Sequence, residues 1–187
     1  IHHASGELWR RGGLNTISLP VTDQLLLARL LAPRAGCILH AAGAILDGLG
    51  WLFIGHSGAG KTTVTRLLEK EAEILCDDRN IVRRLPEGYR VYGTWSHGES
   101  PLVSPNSAPL RAALFLTQAD ENRIERLSDR REVFRRFIAC VVRGFVDAEW
   151  WERLLDLAEA FCREVPCFEL RFTKQADLPA MLRGLSL

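Results

Sequence analysis

The sequence predicts a single α/β domain in which a β-sheet is flanked by helices. Two observations predict this class. Apolar runs of strand length alternate with longer runs of helical periodicity, and a strand, a glycine-rich loop and a helix follow one another around Gly55. The chain has 187 residues, 47% of them hydrophobic, so one domain over residues 1–187 buries a sizeable core, whereas two domains would be small.

The first half of the chain is predicted to combine an early helix with two hairpins. A short strand, Leu14–Leu19, ends at Pro20, and a helical apolar face over Thr22–Leu31 stops before Pro33. Turn residues follow at Asp47-Gly48-Leu49-Gly50 and again at Pro86-Glu87-Gly88. The other elements predicted here are the strands Cys37–Leu46, Trp51–Ile54, Ala72–Cys76, Ile81–Arg84 and Tyr89–Tyr92 and the helix Lys61–Lys70.

The second half begins with a long polar segment, Trp95–Pro109, whose Ser, Pro and Gly content predicts a functional or mobile loop. The elements predicted after it are the strands Ala112–Thr117, Arg123–Leu127 and Phe168–Phe172 and the helices Arg131–Val142, Glu149–Val165 and Leu178–Leu185. Arg131, Arg135 and Arg136 fall on the first of these helices, where a solvated helix surface is favoured over a basic binding face. The apolar C-terminal third packs internally or against a second copy, which leaves a homo-oligomer open.

The charge balance and the cysteines limit the partners and the cellular setting that can be expected. The 24 basic and 23 acidic residues give a net charge of +1, which disfavours a nucleic-acid partner. No apolar run reaches the roughly 18 residues that span a membrane, so no membrane partner is expected. The five cysteines are odd in number and irregularly spaced, which favours free thiols in a reducing, cytoplasmic setting over disulfides or a zinc site.

Residues 55–62 match the motif G-x-x-x-x-G-K-[ST] without departure and stand between a predicted strand and a predicted helix. Glycines allow a tight turn in which successive N–H groups face phosphate oxygens, and the helix N-terminus favours the anion. Lys61 is expected to reach the β- and γ-phosphates of ATP, and the Thr62 hydroxyl to ligate Mg²⁺. The residues predicted to bind the nucleotide are Gly55, His56, Ser57, Gly58, Ala59, Gly60, Lys61, Thr62 and Thr63.

Asp77 and Asp78 directly follow the predicted strand Ala72–Cys76, where an acidic side chain holds the metal in P-loop proteins. Adjacent side chains of a strand point to opposite faces, so both acids reach the site only if the backbone turns there. One would then hold Mg²⁺ and the other would accept the proton of an attacking hydroxyl. The residues alone do not say which acid does which.

His40 stands in an apolar strand, where a lone histidine is usually a structural residue. The hairpin register favours a functional position instead. A two-residue turn at Asp47-Gly48 places His40 opposite Gly55, and a longer turn places it against Ser57 or Gly58. In each register His40 lies beside the predicted phosphate loop, either bonded to a phosphate oxygen or orienting an aspartate.

The combination Leu39-His40-Ala41-Ala42-Gly43, then Gly55 to Thr62, then Cys76-Asp77-Asp78-Arg79 resembles the kinase domain of bacterial HPr kinase/phosphorylase. More loosely it resembles the nucleotide site of ATP-dependent phosphoenolpyruvate carboxykinase. The resemblance covers residues 35–99 and implies a mixed β-sheet P-loop domain of that type.

The resemblance also implies a function. It implies a kinase that transfers phosphate from ATP to a hydroxyl, with serine in a peptide, protein or small molecule as the expected acceptor. One Asp of the pair acts as the base, and His40 and Lys61 are assigned to catalysis with them. A later Glu completes the Mg²⁺ site in this family, and Glu99 is the best match here, so the metal ligands implied are Thr62, Asp77, Asp78 and Glu99. Arg111 is a weaker candidate for stabilising the transferring phosphoryl group.

Departures and competing classes narrow the interpretation. The Gly/Arg-rich signature of HPr enzymes is not found, so HPr is not the expected acceptor, and stand-alone relatives that phosphorylate a serine in a modified peptide or as a free amino acid match better. A GTPase is disfavoured because Thr173-Lys174-Gln175-Ala176-Asp177 is one residue too long for the guanine motif. A nucleotide-binding sensor or assembly ATPase without an acceptor stays the alternative, although it needs neither His40 nor a second Asp.

Overall fold

A computed structural model describes residues 19–143 and 147–186, with side chains from Gln24 onward. Within these residues, helices lie on both sides of a sheet system that contains parallel and antiparallel pairs, which confirms the predicted α/β class with a mixed sheet. The helices are α1 (Leu19–Leu31), α2 (Lys61–Leu68), α3 (Arg130–Ala139), α4 (Ala148–Glu164) and α5 (Leu178–Arg183). The strands are β1 (Gly36–Leu46), β2 (Leu49–Ile54), β3 (Glu73–Cys76), β4 (Arg79–Leu85), β5 (Gly88–Tyr92), β6 (Ser107–Gln118), β7 (Arg123–Arg126) and β8 (Cys167–Phe172).

The two longest strands, β1 and β6, each belong to two sheets. The first residues of β1 pair with β4 and those of β6 with β5, which gives an antiparallel sheet in the order β1-β4-β5-β6. The later residues of β1 pair with β2 and β3, and those of β6 pair in parallel with β2 and β8. β1 therefore passes from one sheet to the other near His40 and Ala41, beside the start of the glycine-rich loop.

The β1–β2 hairpin has the two-residue turn that the sequence allowed. Asp47 and Gly48 both have positive φ, 54° and 78°, as a type I′ turn requires. Leu46 pairs with Leu49 and Ala41 with Ile54. The next step of the ladder joins Gly55 to His40, whose carbonyl accepts a 3.2 Å hydrogen bond from the Gly55 N–H. The prediction that a two-residue turn sets His40 opposite Gly55 is confirmed.

Alternate side chains of β2 point into two separate layers of the core, one on each face of the strand that leads into the glycine-rich loop. Leu52 and Ile54 pack towards α3 and α4 with Phe137 and Phe161, whereas Trp51 and Phe53 pack towards α2 and α5. Successive side chains of a strand point to opposite faces, so the two layers follow from the sequence of β2. Because both faces of β2 are buried, packing fixes the position of its end, Ile54, and therefore the position at which the loop begins at Gly55.

Two predicted segments, Leu14–Leu19 and Trp95–Pro109, have boundaries that differ from the structure or lie outside the described residues. Of the strand Leu14–Leu19, residues 14–18 lie outside the described part, and Leu19 begins α1 with Pro20 in the first turn, where proline is well tolerated. The predicted loop Trp95–Pro109 ends early because the backbone of Ser107–Pro109 pairs with β5. The remaining elements are confirmed with ends that differ by a few residues.

The predicted helix Arg131–Val142 begins one residue earlier and ends at Ala139. The residues after it form backbone hydrogen bonds with β1: Val142 N–H donates to the Ile38 carbonyl at 2.9 Å, and His40 N–H donates to the Cys140 carbonyl at 2.7 Å. Helical periodicity of the side chains does not reveal this competing use of the backbone. The consequence for the site is that the His40 backbone is fixed between Cys140 and Gly55.

Candidate functional site

The loop between β2 and α2, residues 55–60, turns at two glycines in the left-handed region. Gly58 has φ 79° and Gly60 has φ 101°, and a Cβ on Gly60 would come within 2.8 Å of the Phe172 ring. Within the described chain, the N–H groups of Gly58, Gly60 and Lys61 donate no hydrogen bond. Backbone donors of this kind, in a turn that only glycine readily adopts, form the type of concavity that binds anions.

The first turn of α2 continues the same surface. Gly60 precedes the helix without a side-chain cap, and no acidic residue occupies the first turn, so the first N–H groups of the helix have no intrahelical acceptor. The Lys61 ammonium is buried and donates to the carbonyls of Gly55 (3.1 Å) and His56 (3.0 Å). An ammonium group has three donors, so one remains for an incoming anion.

Asp77 is tied directly to this helix. The Thr62 hydroxyl donates a 3.0 Å hydrogen bond to Asp77 Oδ2, and the carboxylate also accepts the N–H groups of Gly98 (2.6 Å) and Ser100 (2.9 Å). Asp77 is only 1% exposed. The carboxylate thus fixes the Thr62 side chain, whose hydroxyl oxygen accepts no hydrogen bond within the described residues.

The two aspartates lie in a turn that runs from Cys76 to Arg79 and is held by the Cys76 sulfur. The Cys76 sulfur accepts the N–H groups of Asp78 and Arg79, both at 3.4 Å, and its thiol donates to the Ser96 carbonyl at 2.9 Å. Burial raises the pKa of the Cys76 thiol, which keeps it protonated as a donor. The Asp78 carbonyl then accepts the Ala41 N–H at 3.0 Å. The backbone turns after β3, which is the condition the sequence set for both acids to reach one site.

Asp78 lies between a histidine and an arginine. Its Oδ1 is 3.7 Å from His40 Nδ1, and its Oδ2 is 3.4 Å from Arg79 Nε. The interaction with His40 lowers the pKa of Asp78 most, burial acts in the opposite direction, and the charges of Arg79 and Lys61 lower it further. With its side chain 25% exposed, Asp78 is accessible where Asp77 is not.

The remaining predicted residues join the site to different extents. Glu99 is exposed and stands between Gly98 and Ser100, the two residues whose N–H groups hold Asp77, so its backbone is near the site and its ligand role stays a prediction. Arg111 is exposed beside the start of β2, whereas the loop leaves the end of that strand. Arg111 therefore lies at the opposite end of the sheet and does not serve the site.

Two cavities border the loop. One, of about 440 Å³, is lined by the loop from Gly55 to Ala59, by the end of β6, and by Arg136 and Cys140 of the α3 region. The other, of about 570 Å³, is lined by Gly60 and Thr63 together with residues 118–120 and 172–175. Of the predicted nucleotide-binding residues, Gly55 to Ala59 line the first cavity and Gly60 and Thr63 the second, whereas Lys61 and Thr62 line neither.

Several residues that build the site were not identified from the sequence. Gly98 and Ser100 contribute backbone N–H groups, which no side-chain pattern reveals, and Cys76 was assigned only as a buried thiol. The only signal in the sequence is that residue 98 is a glycine, and the structure gives the reason: a Cβ there would lie 3.2 Å from the Asp77 carboxylate. Among the described residues, no group of three or more His, Cys, Asp and Glu side chains has a metal-binding arrangement, and no helix is long and apolar enough to cross a membrane.

Comparison with known proteins gives a family and a distant structural likeness. The structure of the Hpr(Ser) kinase/phosphatase from Coxiella burnetii matches with a TM-score of 0.42 and 12% sequence identity, covering 78% of this chain and 85% of that chain. No curated protein matches the sequence. The family described as "SynChlorMet cassette protein ScmC" matches residues 19–177, which is most of the chain. The chain therefore belongs to the ScmC family of SynChlorMet cassette proteins.

Proposed function

We propose that this chain is an ATP-dependent, Mg²⁺-dependent phosphotransferase that acts on a hydroxyl, with the serine of a peptide, protein or small molecule as the expected acceptor. The observation that carries the proposal is the unequal pair of aspartates beside one phosphate loop. Asp77 is buried and bound to Thr62, whereas Asp78 is accessible and faces His40. A protein that only binds nucleotide has no need of the second, accessible acid.

Residues 55–62 would hold the triphosphate, which is the phosphate donor, with both backbone and side-chain groups. The free N–H groups of Gly58, Gly60 and Lys61 would bind phosphate oxygens, and the Lys61 ammonium would exchange loop carbonyls for β- and γ-phosphate oxygens. Lys61 makes its present bonds within the loop itself, so this exchange needs only a side-chain movement. The charge of the ammonium is already placed where phosphate charge would accumulate.

The oxygen donors around Thr62 fit Mg²⁺. Magnesium prefers oxygen ligands, keeps several waters and is usually held by one or two protein groups together with phosphates. Thr62 gives its proton to Asp77 and so offers lone pairs outward. Thr62 would hold the ion, Asp77 would orient Thr62 and the waters, and Asp78 or Glu99 would add a further carboxylate. When bound, the ion neutralises charge on the β- and γ-phosphates.

Asp78 is the better candidate for the base. Asp77 has its two oxygens occupied by three hydrogen bonds and no exposed surface for an acceptor. In the transfer, the acceptor oxygen forms a bond to the γ-phosphorus while the bond to the bridging oxygen of ADP breaks. The acceptor proton passes to the Asp78 carboxylate. A lowered pKa makes Asp78 a weak base but keeps it ionised, which suits a reaction whose transition state requires little early proton removal.

The same lowered pKa supports the alternative, a nucleotide-binding sensor or assembly ATPase that transfers phosphate to no acceptor. In that case the contacts of Asp78 with His40 and Arg79 would be purely structural. The two functions differ in a measurable way, because a sensor binds ATP equally well but labels no hydroxyl.

The test is incubation with γ-labelled ATP, Mg²⁺, free serine and a pool of serine-containing peptides, with ATP binding measured in parallel. Asp78→Asn is expected to lower transfer about 100-fold or more while ATP binding is retained. Lys61→Ala is expected to lose ATP binding itself. Asp156→Asn, an exposed acid of α4, serves as the matched control and is expected to behave as the parent protein. ATP binding without transfer to any hydroxyl would favour the sensor, and full transfer by Asp78→Asn would remove Asp78 as the base.

A further inference from the structure

A groove between α3 and α4 lies outside the phosphate loop and has its own chemistry. Its volume is about 590 Å³. Arg130, Arg131, Arg135 and Arg163 surround it, with a single acid, Glu159. Its floor is formed by Phe134 and Cys162, which pack against the core. The groove is therefore cationic at its walls and apolar at its base.

Three of its arginines lack partners. Within the described residues, the side chains of Arg130, Arg131 and Arg135 form no hydrogen bond or ion pair. Arg136, the next residue along α3, differs because it is paired with Glu132 at 2.5 Å and with Glu169 at 3.1 Å. Several exposed arginines elsewhere are paired with acids, namely Arg29, Arg84, Arg153 and Arg183. Within the described residues, the exposed Arg66 and Arg111 form no ion pair, but each stands alone rather than in a cluster. The positive charge on the groove is left uncompensated by the fold.

These arginines also oppose the helix that carries them. Arg130 and Arg131 occupy the first turn of α3, where the helix dipole favours acids, and Arg131 and Arg135 form a like-charge pair four residues apart. Each of these placements is unfavourable for an isolated helix. Asp129 caps the helix and Glu132 lies in its first turn, but Glu132 is paired with Arg136. The guanidinium groups of Arg130, Arg131 and Arg135 are therefore left available to an anionic binding partner.

We propose that the groove formed by α3 and α4 binds an acidic peptide segment that carries apolar side chains between its carboxylates. Arginine forms paired hydrogen bonds with carboxylates, and Phe134 with Cys162 offers an apolar surface between the charged walls. A nucleic acid fits less well. Glu159 interrupts the lining, and the net charge of +1 leaves no extended basic track for a phosphate backbone. The binding needs no nucleotide and is independent of the proposed phosphotransfer.

The experiment measures fluorescence anisotropy of a short, fluorescein-labelled peptide that combines Glu and Asp with Leu and Phe, in the absence of nucleotide. Binding is expected, and it should weaken as salt is raised. Arg131→Glu/Arg135→Glu is expected to weaken it at least about tenfold. Arg66→Glu/Lys70→Glu, on the helix-α2 side of the sheet, changes the net charge by the same amount and is expected to bind as the parent protein.

Three further measurements test the groove if the Arg131→Glu/Arg135→Glu protein fails to fold. Arg131→Gln/Arg135→Gln should weaken binding as well, and the melting temperature of Arg131→Glu should be equal to or higher than that of the parent protein, because the acid suits the first turn of α3. The bound peptide should also slow alkylation of Cys162, the half-buried thiol in the groove. Equal binding of a peptide with Lys in place of its acids would overturn the proposal. So would stronger binding of a single-stranded oligonucleotide, or unchanged binding by both double variants.

Discussion

Thr62 Oγ1 and Asp77 Oδ2 lie 3.0 Å apart, and this hydrogen bond joins the first turn of α2 to the end of β3. It connects two motifs that are separate in the sequence, the predicted phosphate loop and the paired acids. The same carboxylate accepts the N–H groups of Gly98 and Ser100. One buried side chain therefore holds a helix, a strand end and a loop in fixed relation.

Removing the Thr62 hydroxyl should destabilise the protein, because one acceptor site of a buried carboxylate then lacks its donor. Thr62→Val is expected to lower the free energy of unfolding by about 1–3 kcal/mol. Thr62→Ser should retain most of the stability. Urea denaturation checks this, with Thr63→Val as the control, since Thr63 forms no side-chain hydrogen bond in the described chain. Equal losses for the two valine variants would contradict the importance of the bond.

Gly98 should tolerate no side chain. A Cβ there would lie 3.2 Å from Asp77 Oδ2, so Gly98→Ala must displace either the carboxylate or the loop that bonds it. Overpacking of this kind costs about 1–3 kcal/mol. Thermal denaturation should show a lower melting temperature, and the affinity for ATP should fall. At Gly184 the nearest atom to an added Cβ is 3.4 Å away, so Gly184→Ala is the matched control. If Gly98→Ala keeps the stability and ATP affinity of the parent protein, the loop around residue 98 moves to accommodate the methyl group without cost, and the prediction is wrong.

Asp78 should contribute to the acid sensitivity of the fold. Its pKa in the folded state is below the ordinary value of 3.8, so the ionised carboxylate stabilises the protein above pH 3.8. That contribution is lost as pH falls through the lowered folded pKa. The difference in unfolding free energy between the parent protein and Asp78→Asn should therefore shrink as pH falls below 3.8. Urea denaturation across this range provides the measurement.

His40 provides the largest lowering of the Asp78 pKa, so His40→Asn should reduce the contribution of Asp78 in the same experiment. The other acids with lowered pKa values cancel in each comparison because they are present in both proteins; they are Asp47, Asp147, Glu164 and Glu169. A pH-independent difference between the parent protein and Asp78→Asn would contradict the lowered pKa.

The Cys76 turn should depend on the sulfur as a hydrogen-bond acceptor. Cys76→Ala leaves the N–H groups of Asp78 and Arg79 without a partner, which is expected to cost about 1–3 kcal/mol beyond the loss of packing. Cys76→Ser restores an acceptor and should recover part of that loss. Cys37→Ala removes an equally buried sulfur that accepts no N–H group, so it measures the packing loss alone. Denaturation should show Cys76→Ala to be the more destabilised, and equal losses would argue against the turn.

The sequence predicted the elements of this fold well where side-chain pattern decides them. The turn residues Asp47 and Gly48 allowed two hairpin registers, and the structure adopts the one with a two-residue turn, which sets His40 opposite Gly55. The sequence-based prediction was wrong where the pairing of backbone groups, rather than the side-chain pattern, decides the secondary structure. Ser107–Pro109 reads as loop by composition but pairs with β5, and the chain after Ala139 bonds to β1 rather than continuing a helix.

By itself the sequence determined which residues are candidates for a phosphate site: a glycine loop, Lys61, Thr62, two acids and a histidine. Their types and spacing suffice because motif chemistry is local. Only the tertiary structure distinguished the two acids, burying Asp77 under Thr62 and two backbone N–H groups and leaving Asp78 accessible between His40 and Arg79. Burial and hydrogen-bond partners come from segments distant in the chain, and these set which carboxylate is a buried acceptor and which one is accessible to solvent.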